Sequence, residues 1–198
     1  MTTFFVFYFT NAMDRKRVLE GGPWNFDNAL LVLEIPTGFG DLTDMEFRWT
    51  PIWIQIHNIP LICMTKQIGF QLGQHIGTVK EIDVGSSGDY FGKFLRIRVC
   101  VDIQKPLHKA LRVKLDGVNK EKTLLLKYER LPEHCYLCGM LGHSFRECSQ
   151  CDESNFNGDV STLPYGVWMR ATSPSKSRPS WSNRRTQSPP KQNSPQHA

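Results

Sequence analysis

Short apolar runs of strand length are spaced along roughly the first two thirds of the chain, and turn signals rich in glycine and proline separate them. The clearest run alternates Ile52, Ile54 and Ile56 with polar or aromatic neighbours, which is the period-two pattern of a strand with one buried face. The predicted strands cover residues 4–9, 30–35, 52–57, 79–84, 94–103 and 125–128.

Two helices interrupt these strands. Asn11 is placed to cap a short helix through residues 14–20, which a glycine pair ends. Thr65 is placed to cap a second helix, whose apolar residues repeat every four positions. The order β-α-β-β-α-β-β, with residues 125–128 closing the domain, predicts an α+β fold built on a mostly antiparallel sheet with two helices. The pattern is compatible with RRM-type or ferredoxin-like topology, although periodicity does not determine strand order.

Composition divides the chain into three zones. We predict an α+β domain over residues 1–130, a cysteine-rich unit over residues 131–151, and a disordered tail over residues 152–198. The tail is dominated by Ser, Pro, Asn, Gln and Arg, so it has too little apolar surface to offset the entropy of ordering.

The net positive charge of the chain is concentrated in that tail. The chain carries 24 basic and 19 acidic residues, a net charge of +5. From Ala171 onward there are five basic residues and no acidic one, which leaves 24 − 5 = 19 basic against 19 acidic residues elsewhere. Arg184 and Arg185 are therefore candidate phosphate contacts of an electrostatic arm for a polyanion.

The cysteine-rich unit has the spacing C-x2-C-x4-H-x4-C, formed by Cys135, Cys138, His143 and Cys148. Three thiolates and one imidazole are a ligand set that tetrahedral zinc prefers, and they fill all four positions. The spacing therefore predicts one structural Zn²⁺ ion, whose binding supplies the folding energy of a unit this small. The competing interpretation is a chance spacing of residues that never meet around a metal.

This stretch resembles the zinc knuckles of retroviral nucleocapsid and retrotransposon Gag proteins. The resemblance implies that Tyr136 and Phe145 stack on unpaired bases and that Arg146 reaches a phosphate or lies over a ring. The alternative is that both aromatic side chains pack against the first domain.

Longer runs resemble a plant family that pairs a domain of unknown function with a CX2CX4HX4C zinc knuckle, common in Gag-like proteins of LINE-type retrotransposons. The resemblance implies a role in nucleic-acid binding and ribonucleoprotein formation, with no known catalytic activity. In that family a further segment with a helix usually precedes the strand equivalent to residues 4–9, so we expect an N-terminally truncated copy. The runs are DRKRVLEGGPWNFDNALLVLE (14–34), PIWIQIHNIPL (51–61), GKFLRIRVCVDIQKPL (92–107) and KYERLPEHCYLCGMLGH (127–143).

One strand of the first domain is a candidate binding surface. Alternation over residues 94–103 predicts that Phe94, Arg96 and Arg98 share the face away from the core. An aromatic ring beside two guanidinium groups is similar to the stacking platform of an RRM sheet. The alternative is an ordinary solvated strand face.

These features predict a non-catalytic, zinc-dependent protein that binds single-stranded RNA or DNA, with RNA preferred. The alternative is a zinc-stabilised module for protein interaction or oligomerisation. The sequence has no Walker loop, nucleophile elbow or paired acidic motif, and we expect no small-molecule substrate and no membrane association. Self-association is a further expected property, as is an intracellular location, in the nucleus rather than the cytoplasm.

Overall fold

The computed structural model of the chain describes residues 4–36, 45–83, 92–114, 121–150 and 159–172. Within these ranges two α-helices and eight β-strands form, joined by short 3-10 helices and turns. In chain order they are α1 (Ala12–Gly21), β1 (Trp24–Phe26), β2 (Ala29–Leu31), β3 (Trp49–His57), α2 (Lys66–Gln74), β4 (Thr78–Ile82), β5 (Phe94–Asp102), β6 (Ala110–Lys114), β7 (Glu121–Glu129) and β8 (Arg170–Ala171).

The main sheet has the strand order β4-β5-β3-β7-β6, and β8 adds to β7. All pairs along this order are antiparallel, whereas β8 runs parallel to β7. The predicted mostly antiparallel sheet with two helices is therefore confirmed. Of the two described helices, α2 packs on β4 and β5, while α1 buries none of its residues. The finer prediction of RRM-like or ferredoxin-like topology gains no support from this arrangement.

The core lies on one face of β3, β5 and β7, where apolar side chains at every second position are buried. Tyr128 is the largest fully buried side chain, and its hydroxyl donates a 2.7 Å hydrogen bond to the carbonyl of His108. Full burial stabilises each large aliphatic side chain by about 1.5–3 kcal/mol. The strand residues of this core are Ile52, Ile54, Ile56, Leu95, Ile97, Val99, Val101, Leu124, Leu126 and Tyr128.

Both predicted helix caps form. The Asn11 side chain accepts a 2.8 Å hydrogen bond from the backbone N–H of Met13, and the Thr65 hydroxyl accepts one of 3.2 Å from the N–H of Ile68. Each bond satisfies a donor that the first helical turn leaves without an intrahelical partner. Helix α2 ends at Gln74, before Ile76, yet Ile76 remains buried in the turn that follows.

Residues 4–9 do not form the predicted strand. None of the described strands pairs with them, and their side chains are exposed, Phe5 by 67% and Tyr8 by 93%. A strand needs a neighbour for its backbone hydrogen bonds. In a run without polar positions, no alternation selects one face for burial.

The second predicted strand, residues 30–35, is also shorter and has a different partner. Ala29–Leu31 pairs with Trp24–Phe26 in a two-stranded hairpin. The turn residues Asp27 and Asn28 both have positive φ, 48° and 63°, as the tight hairpin turn requires. This Asp-Asn pair was the local signal that periodicity alone overlooks.

Another strand of the main sheet was missed. Ala110–Lys114 pairs with Glu121–Glu129, and its buried Leu111 alternates with the exposed Arg112, so a pattern was present in a short run. Pairing on both sides also extends the last predicted strand, residues 125–128, to Glu121–Glu129. The predicted strand 79–84 is observed as Thr78–Ile82, and residue 84 lies outside the described residues.

The prediction of disorder over residues 152–198 is wrong for residues 159–172, which we call the strap. The strap contains β8 and the fully buried Met169, which belongs to the main core. The strap has only a few apolar residues, so the average composition of the tail does not reveal them. In the structure they pack against β7. Residues 152–158 and 173–198 lie outside the described residues.

Candidate metal centre

The structure brings the four predicted zinc ligands together. The ligand atoms of Cys135, Cys138, His143 and Cys148 all lie within 4.8 Å of one another. Cys135 and Cys148 are buried, while Cys138 and His143 are partly exposed. A cluster of three sulfurs and one imidazole nitrogen at these separations matches the donor set of a structural zinc site. The four residues thus form a site for a single zinc ion.

Backbone hydrogen bonds fold the first half of the site into a tight loop. The N–H of Gly139 donates to the carbonyl of Cys135 at 2.9 Å, and the N–H of Cys135 donates to the carbonyl of Met140 at 2.8 Å. Gly139 and Gly142 have φ of +77° and +90°, which a side chain disfavours. The backbone conformation at both positions therefore favours glycine.

A capping box holds the second half. Ser144 precedes the 3-10 helix Phe145–Glu147, and its backbone N–H and hydroxyl donate to the carboxylate of Glu147 at 3.1 and 2.9 Å. The helix lies between His143 and Cys148, so it sets the distance between these two ligands. The Ser-x-x-Glu spacing is a known sequence signature of this cap, and it could have been read from the chain.

The thiols differ in acidity. Burial raises the pKa of the Cys138 thiol to about 11, whereas a hydrogen bond from His143 lowers the pKa of Cys148 to about 7. Zinc binds the thiolate form, so binding must displace the proton of Cys138. A bound zinc ion would be held by all four residues and would supply structural cross-linking, without an open coordination position.

The knuckle, residues 135–148, is docked on the sheet. The N–H of Leu107, in the loop between β5 and β6, donates a 2.9 Å hydrogen bond to the carbonyl of Gly139. Leu141 packs against the main core, and it pairs with His134 in an isolated β-bridge. The knuckle is therefore part of the surface of the domain.

The strap covers the other side of the knuckle. The N–H of Tyr165 donates to the carbonyl of Tyr136 at 3.0 Å, and the Tyr165 ring lies directly over Gly139. A β-carbon on Gly139 would stand only 2.3 Å from the outer end of that ring. Lys109 is exposed, and its ammonium lies 4.9 Å from the centre of the same ring. Sequence reasoning missed Tyr165, Leu107 and Lys109, because no local motif ties them to the knuckle.

The two predicted stacking residues lie side by side. The rings of Tyr136 and Phe145 are nearly parallel, with an interplanar angle of 12° and centres 6.4 Å apart. Both side chains are partly exposed, and the exposed Arg146 places its guanidinium 5.8 Å from the Phe145 ring. Tyr136 also contacts the ring of His134 at 5.1 Å, so one side of it packs within the protein.

Arg96, predicted as part of a binding platform on β5, is held in ion pairs. Its guanidinium donates to Glu129 at 2.8 and 2.9 Å and to Asp83 at 2.8 Å, and it lies 3.7 Å from the centre of the Trp53 ring. Glu129 is only 3% exposed, so its carboxylate needs this partner. These ion pairs engage the charge that a phosphate contact would use, so a role of Arg96 in binding stays a prediction.

Arg98 and Phe94 occupy the same face of β5. Arg98 is only 7% exposed, so its guanidinium is not on an open surface as expected. Phe94 is partly buried, and its ring contacts His57 with centres 5.1 Å apart. Binding of nucleic acid by this strand stays a prediction that the geometry does not favour. Arg184 and Arg185 lie outside the described residues.

Comparison with known proteins supports the metal site. Residues 101–150 match the zinc-knuckle family. The chain carries a CCHC zinc knuckle. The match is wider than the four ligands, because it also takes in the loop after β5 and the β6-β7 hairpin.

One curated relative is an uncharacterized protein of Arabidopsis thaliana, 24% identical over 139 residues. The aligned part covers 69% of this chain and 42% of the relative, so the chain spans less than half the length of that protein. No solved structure matches the chain. In the part of the chain that the structure describes, no helix has the length and apolarity to cross a membrane.

Proposed function

We propose that this protein binds single-stranded nucleic acid, with a preference for RNA, through its zinc knuckle, and that it serves a Gag-like, ribonucleoprotein-forming role. The observation that carries the proposal is the pair of nearly parallel, partly exposed rings of Tyr136 and Phe145 on the knuckle surface. Aromatic rings stack on unpaired bases without regard to sequence, at about 1–3 kcal/mol per base. Arg146 beside them adds a cation for phosphate or for stacking.

In this proposal the zinc is structural and the protein is not an enzyme. Four protein ligands fill the positions of tetrahedral zinc, which leaves none for a catalytic water. The basic tail supplies salt-sensitive phosphate contacts through residues such as Arg184 and Arg185. A nuclear location is part of the same proposal.

The test is fluorescence anisotropy with labelled single-stranded RNA and DNA oligomers of the same sequence. Replacing Cys138 by serine removes a zinc ligand, so we expect loss of both zinc and binding. Cys63→Ser is the matched control, because Cys63 is a partly exposed free thiol outside the zinc cluster. Unchanged affinity of Cys138→Ser would contradict the proposal.

Two further variants separate stacking from charge. Phe145→Ala should weaken binding by about 5- to 150-fold, the equivalent of one lost stacked base. Changing Arg184 and Arg185 together to glutamine should instead lower the salt slope of the affinity, by at most about 0.7 for each lost phosphate contact. A Phe145 variant with an altered salt slope but unchanged affinity would argue against base stacking.

A second candidate function is a zinc-stabilised module for protein interaction or self-association. It is favoured by the exposed apolar run at residues 4–9, in which Tyr8 is 93% exposed. Large exposed apolar patches are typical of interaction surfaces. Sedimentation velocity distinguishes the two: this function predicts oligomers that a deletion of residues 4–9 abolishes, together with weak RNA affinity in the intact protein.

A further inference from the structure

A cleft of about 280 Å³ opens at one end of the sheet, next to the docked knuckle. It lies where β3 begins, where α2 ends, and beside the loop that joins β5 to β6. Its volume is just below the range of about 300–1,000 Å³ that is typical of small-molecule sites. The space suits one nucleotide base better than a larger ligand.

The mouth of the cleft presents an aromatic ring beside polar and cationic groups. Trp49 is 46% exposed, so part of its ring is open to a ligand. His75, Lys105 and His108 also line the cleft. A ring for stacking, imidazoles for hydrogen bonds and an ammonium for phosphate are the groups that single-strand binding sites combine.

The one carboxylate among the lining residues is already paired. Asp102 accepts hydrogen bonds from Nε and Nη2 of Arg48 at 3.0 and 2.6 Å, and the ammonium of Lys105 lies 3.6 Å from it. The hydrogen bond from Arg48 lowers the pKa of Asp102 to about 2, so the carboxylate stays ionised and its charge is matched by the guanidinium. Asp102 is thus held between two cations, and the side chain of Lys105, which is 69% exposed, is the one that can turn toward a phosphate at the cleft.

The cleft and the knuckle share a wall. Leu107 lines the cleft, and its N–H is the donor to the carbonyl of Gly139 within the zinc loop. Two residues further along, Lys109 lies over the Tyr165 ring that covers Gly139. A strand bound at the knuckle is thus next to a second site on the same surface.

We propose that this Trp49 cleft is a second nucleotide subsite, which takes a base on Trp49 and a phosphate on Lys105 from the same single strand that the knuckle binds. The inference rests on the proposed nucleic-acid function. It extends the binding site from the knuckle to the first domain, in a place different from the strand face of Arg96 and Arg98.

The experiment compares a long oligomer of about twelve nucleotides, within the site sizes known for single-strand binders, with a short one of about two. The long oligomer can occupy both subsites at once, whereas the short one is expected at the knuckle alone. Trp49→Ala should therefore weaken binding of the long oligomer by about 5- to 150-fold and leave the short one unchanged. Phe70→Ala is the matched control, because Phe70 is 47% exposed and lies on α2 outside the cleft.

Equal affinities of the Trp49 and Phe70 variants for the long oligomer would overturn the subsite and leave the proposed function standing. If the wild-type protein binds neither oligomer, the proposed function fails and the subsite falls with it. Photo-crosslinking of wild-type protein to an oligomer with thiouridine at each position keeps the test valid if Trp49→Ala does not fold. Crosslinks to peptides that contain Trp49 or His108 are expected, and crosslinks confined to the knuckle peptide would refute the subsite.

Discussion

Replacing Gly139 by alanine tests how tightly the strap holds the zinc knuckle. Two independent penalties are expected. The φ of +77° disfavours any β-carbon, at about 1–2 kcal/mol. The new methyl group would also stand 2.3 Å from the outer end of the Tyr165 ring, which must swing away. The packing that the ring gives up adds about 1–3 kcal/mol, so the total loss of stability is roughly 2–5 kcal/mol.

Gly142→Ala is the matched control. Gly142 has a comparable φ of +90°, but among the described residues, its two chain neighbours aside, no atom lies within 4 Å of the position that its β-carbon would take. It should therefore show only the backbone penalty of about 1–2 kcal/mol. The difference between the two variants, about 1–3 kcal/mol, measures the contact between the strap and the knuckle.

The assay is urea unfolding of the zinc-saturated protein, for each glycine variant in the wild-type background and in a Tyr165→Ala background. Without the Tyr165 ring, Gly139→Ala has no clash left to relieve, so the two glycine variants should agree within about 0.5 kcal/mol. Equal destabilisation by both variants in the wild-type background would refute the reasoning, because it would mean that the ring does not rest on Gly139 in solution.

Three further outcomes are expected. Met169→Ala should lower the free energy of unfolding by about 2–5 kcal/mol, because Met169 is fully buried. Met13→Ala, at a position that is 65% exposed, should change it by less than about 0.5 kcal/mol. An unchanged free energy of unfolding in Met169→Ala would mean that the strap is not folded onto the core. Arg96→Leu should lower the free energy of unfolding in urea by about 3–5 kcal/mol, because it leaves the buried carboxylate of Glu129 without its guanidinium partner. The same variant should not alter the salt dependence of RNA affinity. Zinc affinity, measured by competition with a chelator, should rise by at least about tenfold per pH unit between about pH 6 and pH 8. The reason is that the Cys138 thiol, with its raised pKa of about 11, must lose a proton when zinc binds. A zinc affinity that does not change with pH would contradict the protonated thiol.

Local signals predicted those features whose causes are local. Asn11 and Thr65 cap their helices through side-chain hydrogen bonds that span two or three residues. The alternation of Ile52, Ile54 and Ile56 predicted a buried face, and all three side chains are fully buried. The run at residues 4–9 misled the prediction, because strand formation also depends on a pairing partner that no local pattern reveals.

The predicted binding platform on β5 shows the same limit at the level of function. Alternation placed Arg96 and Arg98 correctly on the face away from the core. It gave no information on Glu129, which is 33 residues from Arg96 in the chain and binds its guanidinium. An arginine on a strand face is a candidate phosphate contact only until a distant carboxylate is brought beside it.

Local spacing was enough to predict the zinc knuckle, because Cys135, Cys138, His143 and Cys148 carry the whole ligand set within one short segment. The position of that knuckle and its surroundings follow from the tertiary fold alone. The strap, the Leu107 hydrogen bond to Gly139 and the cleft at Trp49 all join segments that are far apart in the chain. Such contacts depend on the packing of the whole sheet, which no local spacing or composition encodes.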